Sequence, residues 1–222
     1  VEGDIDRGLL IFLKRVLAGA ASDGVNTIIL EINTYGGLVD PAIKIRDLIL
    51  ESEVPVVTYV NKRAWSAGAL IALAGDQLIM NEGSSIGAAE TRPSEEKYIS
   101  ALRKEFKTTA EKQGKNPMVA AAMVDKDIAI DGLISSGKLL TLTAVEAERY
   151  EMAETVVANF SQLLSYLDVT PSQIKEIGPN RKEIFSRMVT NPNISTILLI
   201  IGFTALLLEA FIPGWGVSGI IG

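Results

Sequence analysis

The sequence contains neither cysteine nor histidine. Without cysteine the chain forms no disulfide and no thiolate metal cluster, and without histidine a catalytic zinc site is not expected. Basic residues are also scarce, since 27 acidic residues against 21 basic ones give a net charge of -6, and the basic residues form no run. This charge argues against a nucleic-acid partner. We therefore expect no metal, no cofactor and no nucleic acid.

Helical and buried-strand patterns alternate over the first half of the chain. A helical pattern over residues 6–24 precedes the apolar strand NTIILEIN, and a second helical pattern after the turn TYGG precedes the strand VPVVTYV. The stretch SAGALIALAG followed by DQLIMNE repeats this unit. Such a βαβ rhythm predicts an α/β fold with parallel strands and ligand chemistry at the carboxyl ends of the strands. The turns TYGG and RAWSAG both lie at such ends.

The C-terminal part of the sequence has a different character from the α/β pattern that precedes it. Residues 194–212 form a long apolar run with Glu209 as its only charge, and this length is near the roughly 20 residues that a membrane-spanning helix needs. A buried core helix is the alternative interpretation. The following PGWGVSGIIG predicts a re-entrant or interfacial turn with Trp215 at the level of the lipid headgroups. We predict an α/β domain over residues 1–160, a helical linker over 161–193 and a membrane segment over 194–222.

Ser66, in the stretch RAWSAG, has two interpretations. Serine is a favoured N-cap, and on its own evidence the capping role comes first. However, a strand-to-helix turn also exposes the hydroxyl beside the free N–H groups of a helix, which stabilise a developing oxyanion. Gly36 and Gly37 in the neighbouring turn let the backbone approach a ligand. Together these features make Ser66 a candidate nucleophile, which still needs a base.

With no histidine, the base has to be a carboxylate or a lysine. Four lysines are worth comparing. Lys62 and Lys138 are expected at solvated positions, the first just past a strand and the second before one, whereas Lys112 falls in the last turn of a helix, where a cation is favoured. Lys97 falls in the first turn of a helix, where the dipole disfavours the cation. Spacing alone places Lys97 barely ahead of the others, and a solvated lysine remains the simpler interpretation.

Three ordered motifs, EINTYGG, AWSAGALIALAGDQLIMNEGSSIGAA and LLTLTAVEA, together resemble the NfeD family of membrane proteins. The protease domain of that family is similar to signal peptide peptidase A and to ClpP. The resemblance covers essentially the whole chain, including LLLEAFIPGWGVSGIIG. It implies a ClpP/crotonase-like fold of repeated ββα and βαβ units, with residues 1–160 as a serine protease domain and a transmembrane helix at the C-terminal end.

The resemblance also implies a Ser-Lys dyad formed by Ser66 and Lys97. Two features depart from the family pattern, since Tyr35 stands where many relatives have proline and the stretch between Ala89 and Lys97 is short. The resemblance implies Gly37 and Ala67 as the oxyanion donors. The full set of residues that it implies for oxyanion and substrate binding is Gly36, Gly37, Leu38 and Ala67.

From this resemblance we expect a membrane-anchored serine endopeptidase that cleaves hydrophobic segments of membrane proteins. The expected partners are a stomatin- or flotillin-like protein, membrane lipid and further copies of the chain. The family places the protease domain outside the cytoplasm at the cell membrane, whereas the basic residues of NRKEIFSRM favour the opposite orientation by the positive-inside rule.

Two other functions remain open from the sequence. The chain could be a structural assembly partner of a stomatin- or flotillin-type complex, with weak or no proteolysis. The same fold could also act on a thioester, as a crotonase-like acyl-CoA enzyme.

Overall fold

One mixed sheet of six strands organises the N-terminal part of the chain. The computed structural model describes residues 1–190 and 192–211, and its contacts divide the chain into two units, Val1–Gly178 and Pro179–Gly222. The strands, all in the first unit, are β1 (Ile28–Thr34), β2 (Val56–Trp65), β3 (Gln77–Asn81), β4 (Ser85–Gly87), β5 (Thr141–Thr143) and β6 (Thr155–Val157).

The long strand β2 lies at the centre of the sheet. It pairs with β1, with β3 through residues 57–60 and with β4 through residues 63–65. Because β1 runs along one edge of β2, the strands β3 and β4 share the other edge. These pairings and that of β3 with β6 are parallel, whereas β4 and β5 are antiparallel. The predicted α/β fold with parallel strands is therefore confirmed.

Seven α-helices and a short 3-10 helix (Pro171–Gln173) accompany this sheet in the described part of the first unit. Two of the α-helices make the predicted crossovers between β1 and β2 and between β2 and β3. The first helix begins after Asp6, whose carboxylate accepts a hydrogen bond from the Leu9 N–H at 2.7 Å, and it buries Leu9 and Leu13, which are four residues apart. The helices are α1 (Arg7–Ala20), α2 (Val39–Leu50), α3 (Ala67–Leu73), α4 (Glu96–Lys112), α5 (Pro117–Ala122), α6 (Ala144–Arg149) and α7 (Phe160–Tyr166).

The two faces of the sheet bury separate clusters. Along β2, Val56, Val60 and Ala64 belong to the main core. Val57 and Tyr59 instead belong to a smaller cluster with Leu163 of α7. This alternation is the two-residue period of a strand that is covered on both faces. Burial, followed by the charge of Glu31, raises the pKa of the Tyr59 hydroxyl above its ordinary value.

Strand β2 is longer than the sequence predicted. The apolar run VPVVTYV ends at Val60, yet β2 continues to Trp65 because β4 pairs with its last three residues. The expectation that Lys62 lies just past the strand is therefore wrong, since Lys62 is inside β2. This extension carries the end of β2 to Ser66.

The second unit contains the helices α8 (Arg181–Thr190) and α9 (Pro192–Phe211). Within residues 1–190 and 192–211, no single helix meets the length and hydropathy that a membrane span requires. One pair of segments meets both requirements when taken together, namely Arg181–Val189 and Ile194–Leu208, but the pair is bent by 68°. Leu199 and Phe203 on α9 are largely exposed. The predicted turn around Trp215 lies outside the described residues, and the transmembrane helix stays a prediction.

Gly68 lets α3 approach the end of β1. A Cβ at Gly68 would lie 2.4 Å from Thr34 Cγ2, and the Thr34 side chain is buried with its hydroxyl bonded to Gly3 O at 2.6 Å. We expect Gly68→Ala to lower the free energy of unfolding by roughly 1–3 kcal/mol through overpacking. Chemical denaturation measures this change.

Gly19 in α1 provides the control, because a Cβ there meets nothing within 4 Å. Gly19→Ala should raise the free energy of unfolding by roughly 0.5–1 kcal/mol. Equal stabilisation by both substitutions would contradict the close packing of α3 on β1.

Candidate functional site

A cavity of about 480 Å³ opens where the chain leaves β1, β2 and β4. Ser66 and Ala67 reach it from the end of β2, and Gly37 reaches it from the turn after β1. This position agrees with the expectation that ligands of parallel sheets bind beyond the carboxyl ends of the strands. The wall of the cavity is mixed. Its larger aliphatic side chains are those of Val39, Leu70, Leu102 and Leu139, and polar or charged residues, among them Glu90 and Arg92, line the rest.

Ser66 occupies a sharp turn between β2 and α3. Its backbone has φ 53° and ψ -123°, a conformation that residues other than glycine rarely adopt. The Ser66 N–H donates to Gly87 O at 2.8 Å, and its carbonyl accepts from the Ala69 N–H at 3.0 Å, so both backbone groups hold this turn. In α/β-hydrolases, a strained strand-to-helix turn presents the nucleophilic serine.

The capping interpretation of Ser66 is not supported. Ser66 stands at the N-cap position of α3, but its side chain makes no capping hydrogen bond. Within the described part of the chain, its hydroxyl has no hydrogen-bond partner at all, and the residue lines the cavity. The hydroxyl is thus available to a ligand.

The turn after β1 needs glycine at positions 36 and 37, because a side chain at either position would be too close to its neighbours. A Cβ at Gly36, where φ is +117°, would lie 2.7 Å from Ser66 Cβ, and a Cβ at Gly37, where φ is +157°, would lie 2.3 Å from Ile5 O. The turn is also tied to the segment before α1, because the Ile5 N–H donates to Gly36 O at 3.0 Å. Only glycine fits at either position.

Two of the four residues predicted for oxyanion and substrate binding offer a free N–H group. The Gly36 N–H donates to Thr34 Oγ1 at 3.0 Å, and the Leu38 N–H donates to Ile5 O at 2.8 Å. By contrast, the N–H groups of Gly37 and Ala67 donate no hydrogen bond to any residue that the structure describes. Gly37 and Ala67 also line the cavity beside Ser66, as donors to a substrate carbonyl would.

The structure does not bring Lys97 into the cavity. Lys97 is exposed in the first turn of α4, and its Nζ lies 4.7 Å from the centroid of the Tyr98 ring. The same helix does contribute to the cavity wall through Leu102, five residues further along. Helix α4 therefore lines the cavity through its second turn, and Lys97 in the first turn is not among the lining residues.

Several lining residues could not be found from the sequence. Ala88, next to the end of β4, has φ 52°, and the segment that follows it brings Glu90, Thr91 and Arg92 to the cavity. Thr91 is 6% exposed, and its hydroxyl is buried without a hydrogen-bond partner among the described residues. No pattern in the sequence marks this segment as part of the site, because it depends on β4 pairing with the end of β2.

Solved structures identify the class to which this fold belongs. The membrane protease 1510-N of Pyrococcus horikoshii, specific for a stomatin homolog, is 26% identical and aligns with a TM-score of 0.65 over 86% of this chain and 96% of that one. ClpP1 from Listeria monocytogenes is 20% identical, with a TM-score of 0.59 over 73% and 92% of the two chains, and shows the same fold. The first unit is an α/β domain of the ClpP-like protease type.

Sequence comparison then gives the family. Residues 1–177 match the model of the NfeD1b N-terminal domain, and the chain belongs to this family. The membrane protein NfeD1b of Bacillus subtilis is 41% identical over 228 residues, covering 100% of this chain and 52% of that protein. The membrane-bound protease PH1510 of Pyrococcus horikoshii is 28% identical over 254 residues, covering 100% of this chain and 54% of that protein. The chain thus spans about half the length of both relatives.

Other structures of the archaeal stomatin-specific protease carry single substitutions. One replaces a serine by alanine, and another replaces a lysine by alanine and is in complex with a substrate peptide.

The unpartnered hydroxyl of Thr91 gives a stability prediction. A buried hydroxyl without a hydrogen bond destabilises the fold, and removing it leaves no other group unsatisfied. We expect Thr91→Val to leave the free energy of unfolding unchanged or to raise it by up to about 1 kcal/mol. Urea denaturation of the substrate-free protein measures this.

Thr58→Val is the matched control. Thr58 is fully buried, and its hydroxyl donates to Ala72 O at 2.7 Å. This substitution should cost about 1–3 kcal/mol, because it leaves a buried carbonyl without that partner. A similar loss for Thr91→Val would mean that the Thr91 hydroxyl does have a partner in the folded protein.

Proposed function

We propose that this protein is a membrane-bound serine endopeptidase with Ser66 as its nucleophile. The observation that supports it best is the position of the Ser66 hydroxyl. This hydroxyl lies in a cavity, at a strained strand-to-helix turn, without a capping hydrogen bond and beside the unused N–H groups of Gly37 and Ala67. A helix cap alone would require none of these features.

In the proposed reaction, Ser66 Oγ attacks the carbonyl carbon of the scissile peptide bond. The carbonyl oxygen becomes an oxyanion, which accepts hydrogen bonds from the Gly37 and Ala67 N–H groups. Both donors are backbone groups held by glycine packing and by the start of α3, so they need little reorganisation when charge develops. The C–N bond then breaks, the departing amine receives the proton that the base took from Ser66, and an ester remains on Ser66. Water hydrolyses this ester to a carboxylic acid and restores the serine.

Lys97 is the proposed base that takes the proton from Ser66. A lysine acts as a base only after its amine has lost a proton, and removal from water favours that neutral form. Because Lys97 is exposed and packs on Tyr98, the proposal includes a movement of the first turn of α4 toward the cavity when substrate binds. Leu102 on the same helix already lines that cavity.

The aliphatic part of the cavity wall favours apolar substrate side chains. We therefore propose as substrate a hydrophobic segment of a membrane protein, with a stomatin- or flotillin-like protein as the partner that supplies it. The exposed aliphatic side chains of α9 support contact with membrane lipid, and the two curated relatives are named as membrane proteins. Assembly into homo-oligomers, a span over residues 194–222 and an extracytoplasmic protease domain complete the proposal.

Cleavage of a hydrophobic, stomatin-like C-terminal peptide by the detergent-solubilised chain tests the dyad. We expect Ser66→Ala to reduce kcat/KM at least about 10³-fold, because the nucleophile is lost. Lys97→Ala should reduce it roughly 10²- to 10⁴-fold, as expected for loss of a general base. Circular dichroism confirms that each variant is folded.

Lys104→Ala is the control for the lysine, since Lys104 is exposed on the same helix, and it should keep wild-type activity. Full activity of Lys97→Ala would mean that another group is the base, and full activity of Ser66→Ala would exclude the proposed nucleophile. If the folded wild type cleaves none of several such peptides, a scaffolding role in a stomatin-type complex becomes the better explanation.

A further inference from the structure

A cation and two aromatic rings pack together at the mouth of the cavity. The Arg63 guanidinium carbon lies 4.5 Å from the Tyr35 ring centroid and 5.6 Å from the Trp65 ring centroid, and the two rings meet edge to face at 5.4 Å. The guanidinium also donates to the Tyr35 hydroxyl. The Trp65 N–H donates to Ser85 Oγ at 2.8 Å, which fixes that ring on β4. We call Tyr35, Arg63 and Trp65 the cationic cluster.

The cationic cluster is directly connected to the candidate site. Arg63 and Trp65 lie on the same face of β2, since they are two residues apart in a strand, and β2 ends at Trp65, just before Ser66. Tyr35 lines the cavity together with Ser66 and is 67% exposed. With about 3.3 Å per residue, the backbone of Arg63 lies roughly 10 Å from that of Ser66, the span of about three residues of an extended peptide.

Arg63 has no acidic partner among the described residues, as is also the case for Arg7, Arg92 and Arg149. Arg46 and Arg103 form ion pairs with Glu105 and Asp125. Glu31, on the strand next to Arg63, instead accepts a hydrogen bond from Asn61 at 2.6 Å. The charge of Arg63 is therefore balanced only by the faces of two aromatic rings.

This arrangement suits the recognition of a carboxylate. A guanidinium group presents a planar fork of five N–H donors, which matches the two oxygens of a carboxylate. The hydrogen bond to the Tyr35 hydroxyl uses one of these N–H groups, and packing on the rings restricts the rotation of the side chain. A restricted donor loses less conformational entropy when an anion binds.

We propose that the cationic cluster binds a carboxylate of the substrate, about three residues from the scissile bond. This inference rests on the proposed proteolytic function. It adds one charged position to a substrate whose apolar side chains would contact the aliphatic part of the cavity wall. The carboxylate belongs either to an acidic side chain or to the C-terminus of the substrate chain.

The test compares blocked peptides that carry Glu, Gln or Lys at the second, third or fourth position on either side of the cleaved bond. The blocked peptides have acetylated and amidated ends and therefore carry no terminal charge. A preference for Glu in this series shows that the cluster binds an acidic side chain. A second series of peptides ends in a free carboxylate two to four residues beyond the cleaved bond. Faster cleavage of this series shows that the cluster binds the C-terminus of the substrate chain. For each peptide, kcat/KM is measured with the full-length wild type, Arg63→Gln and Arg63→Glu.

Arg149→Glu is the matched control, because Arg149 also packs on an aromatic ring, that of Tyr150 at 5.7 Å, but lies at the end of α6 and not on the strand that leads to Ser66. Wild type and Arg149→Glu should cleave the carboxylate peptide roughly tenfold faster than its Lys counterpart at one position, as expected for a charge-assisted hydrogen bond. Arg63→Gln should abolish this preference and Arg63→Glu should invert it.

A wild-type enzyme without a charge preference, or one whose preference survives Arg63→Gln, would overturn the inference while leaving the protease function intact. A purely structural role of Arg63 predicts equal losses for all peptides and no inversion. Dissociation constants of the same peptides with Ser66→Ala, and with the Ser66→Ala/Arg63→Glu double variant, provide a readout independent of cleavage. Absence of the charge preference in this binding also overturns the inference.

Discussion

The site depends on the close approach of two turns, which is possible only because Cβ atoms are missing between them. The turn after β1 contacts the turn between β2 and α3 at Gly36 and Ser66, where an added Cβ would lie 2.7 Å from the serine Cβ. At the next point of contact, Gly68 of α3 faces the buried side chain of Thr34. These contacts set the distance between the Ser66 hydroxyl and the N–H group of Gly37. A side chain at Gly36 or Gly68 would separate the two turns.

The length of β2 is the second feature on which the site depends. Because β3 and β4 share one edge of β2, the strand has to be long enough to pair with both. Its last three residues pair with β4, and the Gly87 carbonyl at the end of β4 accepts the hydrogen bond from the Ser66 N–H. The sheet thus holds the backbone of the proposed nucleophile in a conformation with positive φ, which the local sequence would not adopt alone. The same pairing brings Ala88 and the residues after it to the cavity.

The sequence predicted the features that depend on local patterns. Hydrophobic periodicity located β1, α2 and the start of β2, and the order of these elements placed Ser66 and Gly37 at adjacent strand ends. It did not predict features that depend on pairing between distant segments, such as the extension of β2 through Lys62. Nor could it show that the Leu38 N–H is used by Ile5 while that of Gly37 is free. The proposed role of Lys97 rests on family resemblance, since neither helical spacing nor the position of Lys97 on α4 singles it out.

The most direct test of the central claim is the reactivity of Ser66 toward a fluorophosphonate probe, read by mass spectrometry of the labelled peptide. A serine activated as a nucleophile, with free N–H donors beside it, reacts with such a probe, whereas a structural serine does not. The account predicts a single adduct at Ser66 that is lost in Ser66→Ala and suppressed by an excess of hydrophobic peptide. An intact, folded protein that gives no adduct at Ser66, or that is labelled equally after Ser66→Ala, would contradict it.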